Sequence, residues 1–322
     1  MITYTVRRIL LSAPIVLIAS FVLFVAVRAT FDPLGKLRQS NDPSVVRRET
    51  ERLGLNKSVP EQFLLWLKGF LTGDWGVSSR TGGDVRQMIL QALWPTLQLI
   101  FWGILFAVLI AGLIAIYSAV KQYSMADHAM TALSYVGIAL PAFWFGLVLI
   151  QFLAVMPRQQ FGWADPPLYF VGLHSAGRSG FNLDYIRHLV LPVVTLTITL
   201  VASWSRFGRA SMLDALSSEY VRTARAKGVP RRRIILRHAA RNSMAPFVTV
   251  VALDAALLFG GLVVTEQIYS IPGMGRLFLD SLLTGDVFVL LPWMLVVACA
   301  VVVCNLIADV SYAILDPRVR LR

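Results

Sequence analysis

Ser218-Glu219-Tyr220-Val221-Arg222-Thr223-Ala224-Arg225-Ala226-Lys227-Gly228-Val229-Pro230 reads as a short helix with its own start and stop, set between two apolar blocks. Ser218 suits an N-cap, and Glu219 suits the positive end of the helix dipole. Lys227 falls in the last turn, Gly228 can take the left-handed conformation after it, and Pro230 prevents continuation. A helix of about nine residues is too short to persist alone in water, so another surface must hold it. Ala224, Ala226 and Gly228 permit close approach by such a surface. Tyr220, Thr223 and Lys227 fall on one side, an aromatic anchor with a polar fork. Two readings follow from the residues: a solvated connector, or a docking element for another protein.

Outward from this helix the chain is strongly basic, then strongly apolar. Ten Lys/Arg lie between Arg206 and Arg241, and Met244-Ala245-Pro246 opens the next apolar block. The whole chain has 322 residues, 57% of them hydrophobic and only 15% charged, with a mean hydropathy of +0.67. Soluble domains are roughly half apolar and a quarter charged, and here the apolar excess is gathered into long blocks. Six blocks are each about the 20 residues that a spanning helix needs: Ile9–Ala29, Thr96–Ala119, Ala132–Met156, Leu189–Phe207, Ala245–Val264 and Val287–Tyr312. The fold expected is an all-α polytopic bundle. Its division is 1–30 (cytoplasmic N-terminus and first span), 31–95 (an extracytoplasmic segment) and 96–322 (a five-helix core with a cytoplasmic loop at 208–245). The first block ends in Val27-Arg28-Ala29 without a good cleavage site, and reads as an uncleaved anchor.

The net charge of +12 does not point to nucleic acid, because the basic residues flank apolar blocks instead of forming an aromatic-interleaved patch. They serve topology and contact with anionic headgroups. Arg7, Arg8, Lys121, the run from Arg206 to Arg241, and Arg318, Arg320 and Arg322 share one side, so both termini are expected in the cytoplasm. Cys299 and Cys304, the only cysteines, lie five apart in the last block. They cannot pair within one helix, and no zinc-ligand spacing exists.

In the outer segment, Ser58-Val59-Pro60-Glu61 has capping-box spacing, and Phe63, Leu64, Trp66, Leu67, Phe70 and Leu71 recur at helical intervals up to Gly73. This predicts an amphipathic helix, for the membrane surface or for the outer face of the bundle. Gly82-Gly83 breaks the chain before the second span. Pro141 should kink the third span. Thr195, Thr199 and Ser203 line one face of the fourth, either as helix–helix hydrogen bonds or as a pathway lining. Asp254, near the middle of the fifth span, either bonds a neighbouring helix or faces a water-filled cavity. Glu266 is expected at the outer end of that helix, where hydration lowers its cost.

The quoted loop resembles the cytoplasmic loop of inner-membrane subunits of binding-protein-dependent ABC importers, with the general pattern Glu-Ala-Ala, three residues, Gly. Glu219 to Gly228 is similar to the version in B-type dipeptide and oligopeptide permeases. Leu53-Gly54-Leu55, Gly73-Asp74-Trp75-Gly76, Pro95-Thr96, Arg241-Asn242-Ser243-Met244, Thr265-Glu266, Pro272-Gly273-Met274-Gly275 and Asp316-Pro317-Arg318-Val319-Arg320 fall in the order of that family's words. Arg222 stands at the general motif's glutamate, Trp75 at a usually aliphatic site, Ala245 where leucine is commoner, and Asp254 where a neutral residue is expected.

The resemblance implies the type I ABC importer transmembrane fold, in a bacterial inner or plasma membrane. It implies ATPase coupling through Glu219, Tyr220, Thr223, Ala224, Lys227 and Gly228. Asp254, Thr195, Thr199 and Ser203 become pathway candidates. Glu266, Pro272, Gly273 and Gly275 become candidates for an outer gate or a binding-protein contact. The implied partners are a homologous second permease in a heterodimer, two ATPase subunits or one fused ATPase that bind ATP and Mg, and an extracytoplasmic solute-binding protein carrying peptide. Cargo such as a nickel complex or glutathione fits the same fold. The chain has no phosphate-cradling Gly-x-x-x-x-Gly-Lys-Ser/Thr, so no ATP hydrolysis and no cofactor or metal of its own are expected.

Two other classes are less consistent with the sequence. A secondary transporter favours inverted repeats and paired intramembrane ionisable residues, and Asp254 stands nearly alone. An intramembrane hydrolase lacks an activated partner for His128, His174, His188 or His238.

Overall fold

The computed structural model describes residues 2–32, 34–35, 43–52, 54–163 and 165–315. Leu53 and the terminal Asp316–Arg320 motif with Arg322 therefore lie outside the described residues. The described residues are helical, with no β-strand; one isolated bridge joins Val77 and Asp84. Among the described residues, six helices are long and apolar enough to cross a membrane.

Helix α1 (Ile2–Thr30) is the first span. After α2 (Pro43–Arg52) comes α3 (Val59–Thr72), whose ends follow the sequence. The Glu61 carboxylate accepts the Ser58 N–H at 3.1 Å, and Gly73 closes the helix at φ 90°. One face of α3 packs inward: Phe63 meets Phe21 and Phe24 of α1 edge-on, at ring separations of 5.2 and 5.6 Å. Leu64 and Leu71 on the other face are exposed, so the helix lies on the bundle with an apolar outer side.

Helix α4 (Val85–Val120) is capped by Asp84, whose carboxylate accepts the Gln87 N–H at 2.7 Å. The expected boundary at residue 95 thus falls inside a continuous helix. The third crossing is where periodicity misled most. Instead of one kinked helix there are two, α5 (Met125–Ala139) and α6 (Ala142–Ile150), because Leu140 is extended and Pro141 caps the second. A residue before proline avoids helical backbone, and proline cannot donate to the preceding turn. Helix α6 runs through a π-helical turn, Gln151–Val155, into α7 (Met156–Phe161).

Helix α8 (Leu183–Ser217) is the central element. Leu191, Leu196, Leu200 and Trp204 sit in the main core with Leu99 and Ala107 of α4 and Phe247 of the fifth span. The segment 208–245 is helical almost throughout. It holds the end of α8, α9 (Glu219–Ala226), the turn α10 (Arg231–Arg233), a π-helical turn at Ile234–Ala239, and the start of α11 (Ala240–Gly261). Then follow α12 (Val263–Ile268), α13 (Met274–Thr284) and the last span α14 (Val287–Leu315). Arg8 of α1 pairs with Asp309 of α14, one guanidinium nitrogen lying 2.6 Å from the carboxylate. The first and last spans are thereby tied at the end that carries the N-terminus.

Candidate functional site

Helix α9 is held by its own chain and presents one free face. Val221 is fully buried and Ala224 nearly so, in a small core with Met212, Ala215, Ile234 and Ala239. Ala224 was expected on the surface offered to a partner; it instead faces inward, because positions 221 and 224 are one turn apart on the same side. Tyr220, Thr223 and Lys227 are exposed, Tyr220 at 41%. Ser218 has the backbone of an N-cap, but its hydroxyl donates to the Ala215 carbonyl at 2.6 Å and so finishes α8 instead of capping α9. Glu219 pairs with Arg222 at 2.7 Å on the solvent side.

The stop is a Schellman motif. Gly228 has φ 73°, its N–H bonds the Arg225 carbonyl at 2.9 Å, and the Val229 N–H bonds the Ala224 carbonyl at 3.1 Å. Only glycine takes that φ without a Cβ penalty, and the two bonds satisfy carbonyls the helix end would otherwise orphan.

Beside α9 lies a buried polar tie that the sequence did not single out. The Asp127 carboxylate accepts from the Arg209 guanidinium at 2.8 Å through each oxygen, from the Ser118 hydroxyl, and from the Tyr123 N–H at 2.9 Å. The Arg209 bond, helped by Ser118 and Tyr123 and opposed by burial, holds the Asp127 carboxyl well below the usual carboxylate range. The tie fixes α4, α5 and α8 together at the end where α9 hangs. Arg209 was read only as a topology charge; pairing across 82 residues leaves no local pattern.

The Thr195, Thr199, Ser203 stripe divides along its length. Thr195 is buried and bonds the Tyr269 hydroxyl at 2.7 Å. Thr199 donates to the Thr195 carbonyl at 3.1 Å. Thr195 thus serves helix packing and Thr199 bonds only its own helix, whereas Ser203 is exposed and lines an open cavity. Asp254 is half-buried and accepts the Trp204 indole N–H at 2.6 Å, which joins α11 to α8. The helix-to-helix bond left open by the sequence is therefore present.

At the other end of the bundle Glu266 is not hydrated as expected. It is 0% exposed. The Thr96 hydroxyl donates to it at 2.6 Å and the Arg276 N–H at 3.0 Å, while Thr96 accepts the Met274 N–H at 2.8 Å. A Cβ on Gly273 would lie 2.3 Å from the Glu266 carboxylate, and one on Gly275 only 2.6 Å from the Val263 backbone. Both glycines are buried so that the chain can wrap the carboxylate; Pro272 alone of the four is exposed. Burial raises the Glu266 carboxyl above its ordinary value, against the Thr96 hydroxyl and the backbone donors. These residues form a bolt between α4, α12 and α13, and Glu266, Gly273 and Gly275 offer nothing to an outside surface. Among the described residues no cluster of ligating side chains could hold a metal.

Comparison with known proteins adds an independent line. Residues 111–321, more than half of the chain, match the family described as binding-protein-dependent transport system inner membrane component. The oligopeptide transport system permease protein AppB of Bacillus subtilis (strain 168) is 37% identical, with 99% of each chain covered. The dipeptide transport system permease protein DppB of Alkalihalophilus pseudofirmus is 33% identical over 99% of this chain and all of its own. DppB of Escherichia coli (strain K12) is 34% identical over 83% of each. In fold, the chain is similar to the inward-facing MetNI methionine ABC transporter, with a TM-score of 0.54 at 14% identity, covering 71% of this chain and 97% of that one. With six spanning helices, relatives aligned end to end and a transporter fold, this multi-pass membrane chain belongs to the family of binding-protein-dependent transport system inner membrane components.

Proposed function

We propose that this chain is one permease half of an ATP-driven peptide importer, and that α9 is the element through which ATPase motion reaches the membrane. The observation that carries the coupling role is the construction of α9: a capped helix fixed by Val221 and Ala224, with Tyr220, Thr223 and Lys227 left outward. Its partner is an ATPase domain, as two subunits or one fused chain, which binds the ATP and Mg that this chain does not. A homologous second permease completes the pathway, and an extracytoplasmic solute-binding protein delivers the peptide. The membrane is a bacterial inner or plasma membrane with both termini cytoplasmic, in keeping with the placement of the basic loops. The names of the relatives that align along nearly their whole length support peptide as cargo.

Closure of the ATPase domains would carry α9, and through its small core the ends of α8 and α11, as one body. The bundle would then switch between inward-open and outward-open packings. The decisive experiment is purification of the tagged chain from its own membrane, followed by cross-linking from a single cysteine at Thr223 with Cys299 and Cys304 replaced. A cross-link to a chain carrying phosphate-loop motifs supports the role; a chain that purifies alone, with no cross-link, ends it. Asp254 remains a candidate for cationic cargo. Asp254→Asn keeps an acceptor for Trp204 while removing the charge, so it should reduce transport of cationic peptides selectively; equal loss for all peptides would leave only the packing role.

A further inference from the structure

We propose that Arg206, stacked on Tyr135, is a way-station for the carboxylate of the cargo on the inner half of the pathway; this rests on the peptide-importer reading above. A cavity of ≈ 410 Å³ opens between α5 and α8, lined by Thr131, Tyr135, Ser203, Arg206 and Arg209 among others. Its walls are fixed from behind. Ser134 and Ser205 bond each other at 3.0 Å, and Arg209 is locked to Asp127. The opening is therefore a built concavity between two tied helices.

Its charge is unbalanced. Two guanidiniums, three residues apart on α8, reach it. Arg209 is neutralised by Asp127. Arg206 instead lies 4.3 Å from the centre of the Tyr135 ring, and among the described residues no carboxylate is paired with it. A ring face holds a cation in place without cancelling its charge. The cavity lining contains no acidic residue, while Thr131, Ser203 and Tyr135 add hydroxyl donors. A planar guanidinium that is pre-oriented and flanked by hydroxyls matches a carboxylate, which it can bind through two parallel hydrogen bonds. Every unmodified peptide carries such a group at its C-terminus, whatever its side chains, so a site of this kind serves a permease that must accept varied sequences. It also accounts for Ser203 being turned outward while Thr195, on the same stripe, is buried.

The test uses the complete transporter in nanodiscs of zwitterionic lipid, with the binding protein omitted, and two probes: trialanine and trialanine C-terminal amide. Binding is followed by saturation-transfer NMR titration. Trialanine should bind about tenfold tighter than its amide. Arg206→Gln should bring it down to the affinity of the amide, and Arg206→Lys should restore part of the difference. Arg206 is exposed, so neither substitution threatens the fold. A preference that survives Arg206→Gln, equal weakening of both probes, or no preference in the wild type overturns the proposal. So does a tenfold loss of trialanine binding on adding phosphatidylglycerol, which would assign the guanidinium to lipid headgroups. ATP-driven import of trialanine into proteoliposomes, with the binding protein present, separates the two levels. Import without a binding preference removes only the role of Arg206; absence of any peptide import removes the cargo reading and this site with it.

Discussion

Glu266 shows how a single residue decides the packing around it. A carboxylate with no exposure is tolerable only when its oxygens are satisfied, and Thr96, Gly275 and Arg276 supply the donors. Glu266→Ala should remove this acceptor, leave the backbone donors unpaired and open a cavity. The cost is on the order of 3 kcal/mol, read as a lowered unfolding temperature in detergent. Gly273→Ala places a Cβ against the same carboxylate and should cost about 1–3 kcal/mol. The two effects share one space, so Gly273→Ala should cost clearly less in the Glu266→Ala background; strict additivity would show that the glycine is required for another reason. Thr265-Glu266 and Pro272–Gly275 were both visible as words in the chain. That they clasp each other was not, because the carboxylate's partners come from two other helices, α4 and α13, and Thr96 stands 170 residues away in the chain.

At the scale of elements, α9 and the Asp127–Arg209 tie answer to different substitutions. Gly228→Val puts a β-branched residue at φ 73°, where the cost is about 1–3 kcal/mol. The subunit should still assemble, but ATP hydrolysis should run without matching transport; normal transport per ATP in reconstituted vesicles would count against coupling through α9. The Asp127–Arg209 tie carries a pH signature. The folded carboxyl titrates below its unfolded value, so the tie's contribution is complete above the unfolded value near 4 and is lost progressively as pH falls from there through the lower folded one. Asp127→Asn should therefore destabilise the wild type at pH 7 by on the order of 2 kcal/mol. The gap between the two proteins should narrow as the medium is acidified below about pH 4, where the unfolded wild-type carboxyl takes up protons. A gap that stays constant down to pH 3 would mean the ion pair is not its source. The helix boundaries of α3 and α9 were legible because caps are local chemistry. The break between α5 and α6 was legible only as a kink, since proline marks the place but not whether neighbours will accept two helices.

For the whole molecule, the prediction concerns the energy source. Vesicles containing the complete assembly should accumulate peptide with internal or external ATP supplied on the ATPase side and no ion gradient. Uptake that requires a proton or sodium gradient and ignores ATP would return the chain to the secondary-transporter class. The bundle itself gives this prediction its mechanical basis. Arg8–Asp309 joins the first span to the last, Trp204–Asp254 joins α8 to α11, and the Glu266 bolt joins α4 to α12 and α13. On the proposed coupling, motion entering at α9 would meet helices already bonded to one another, the condition for a switch between two packed states instead of local bending.

By itself the amino-acid sequence determined the class, the number of spans, the ends of the amphipathic helix and of α9, and the family. Each of these rests on local periodicity, capping residues or the order of short motifs, all of which are written along one strand of chain. Tertiary structure alone decided which polar residues are partners. It turned Ala224 inward, buried Glu266, split the Thr195–Ser203 stripe into packing and open positions, and left Arg206 on Tyr135 with no paired carboxylate among the described residues. Those outcomes depend on contacts between helices tens to hundreds of residues apart. A polar side chain in an apolar span looks the same in sequence whether it meets a neighbour or a cavity.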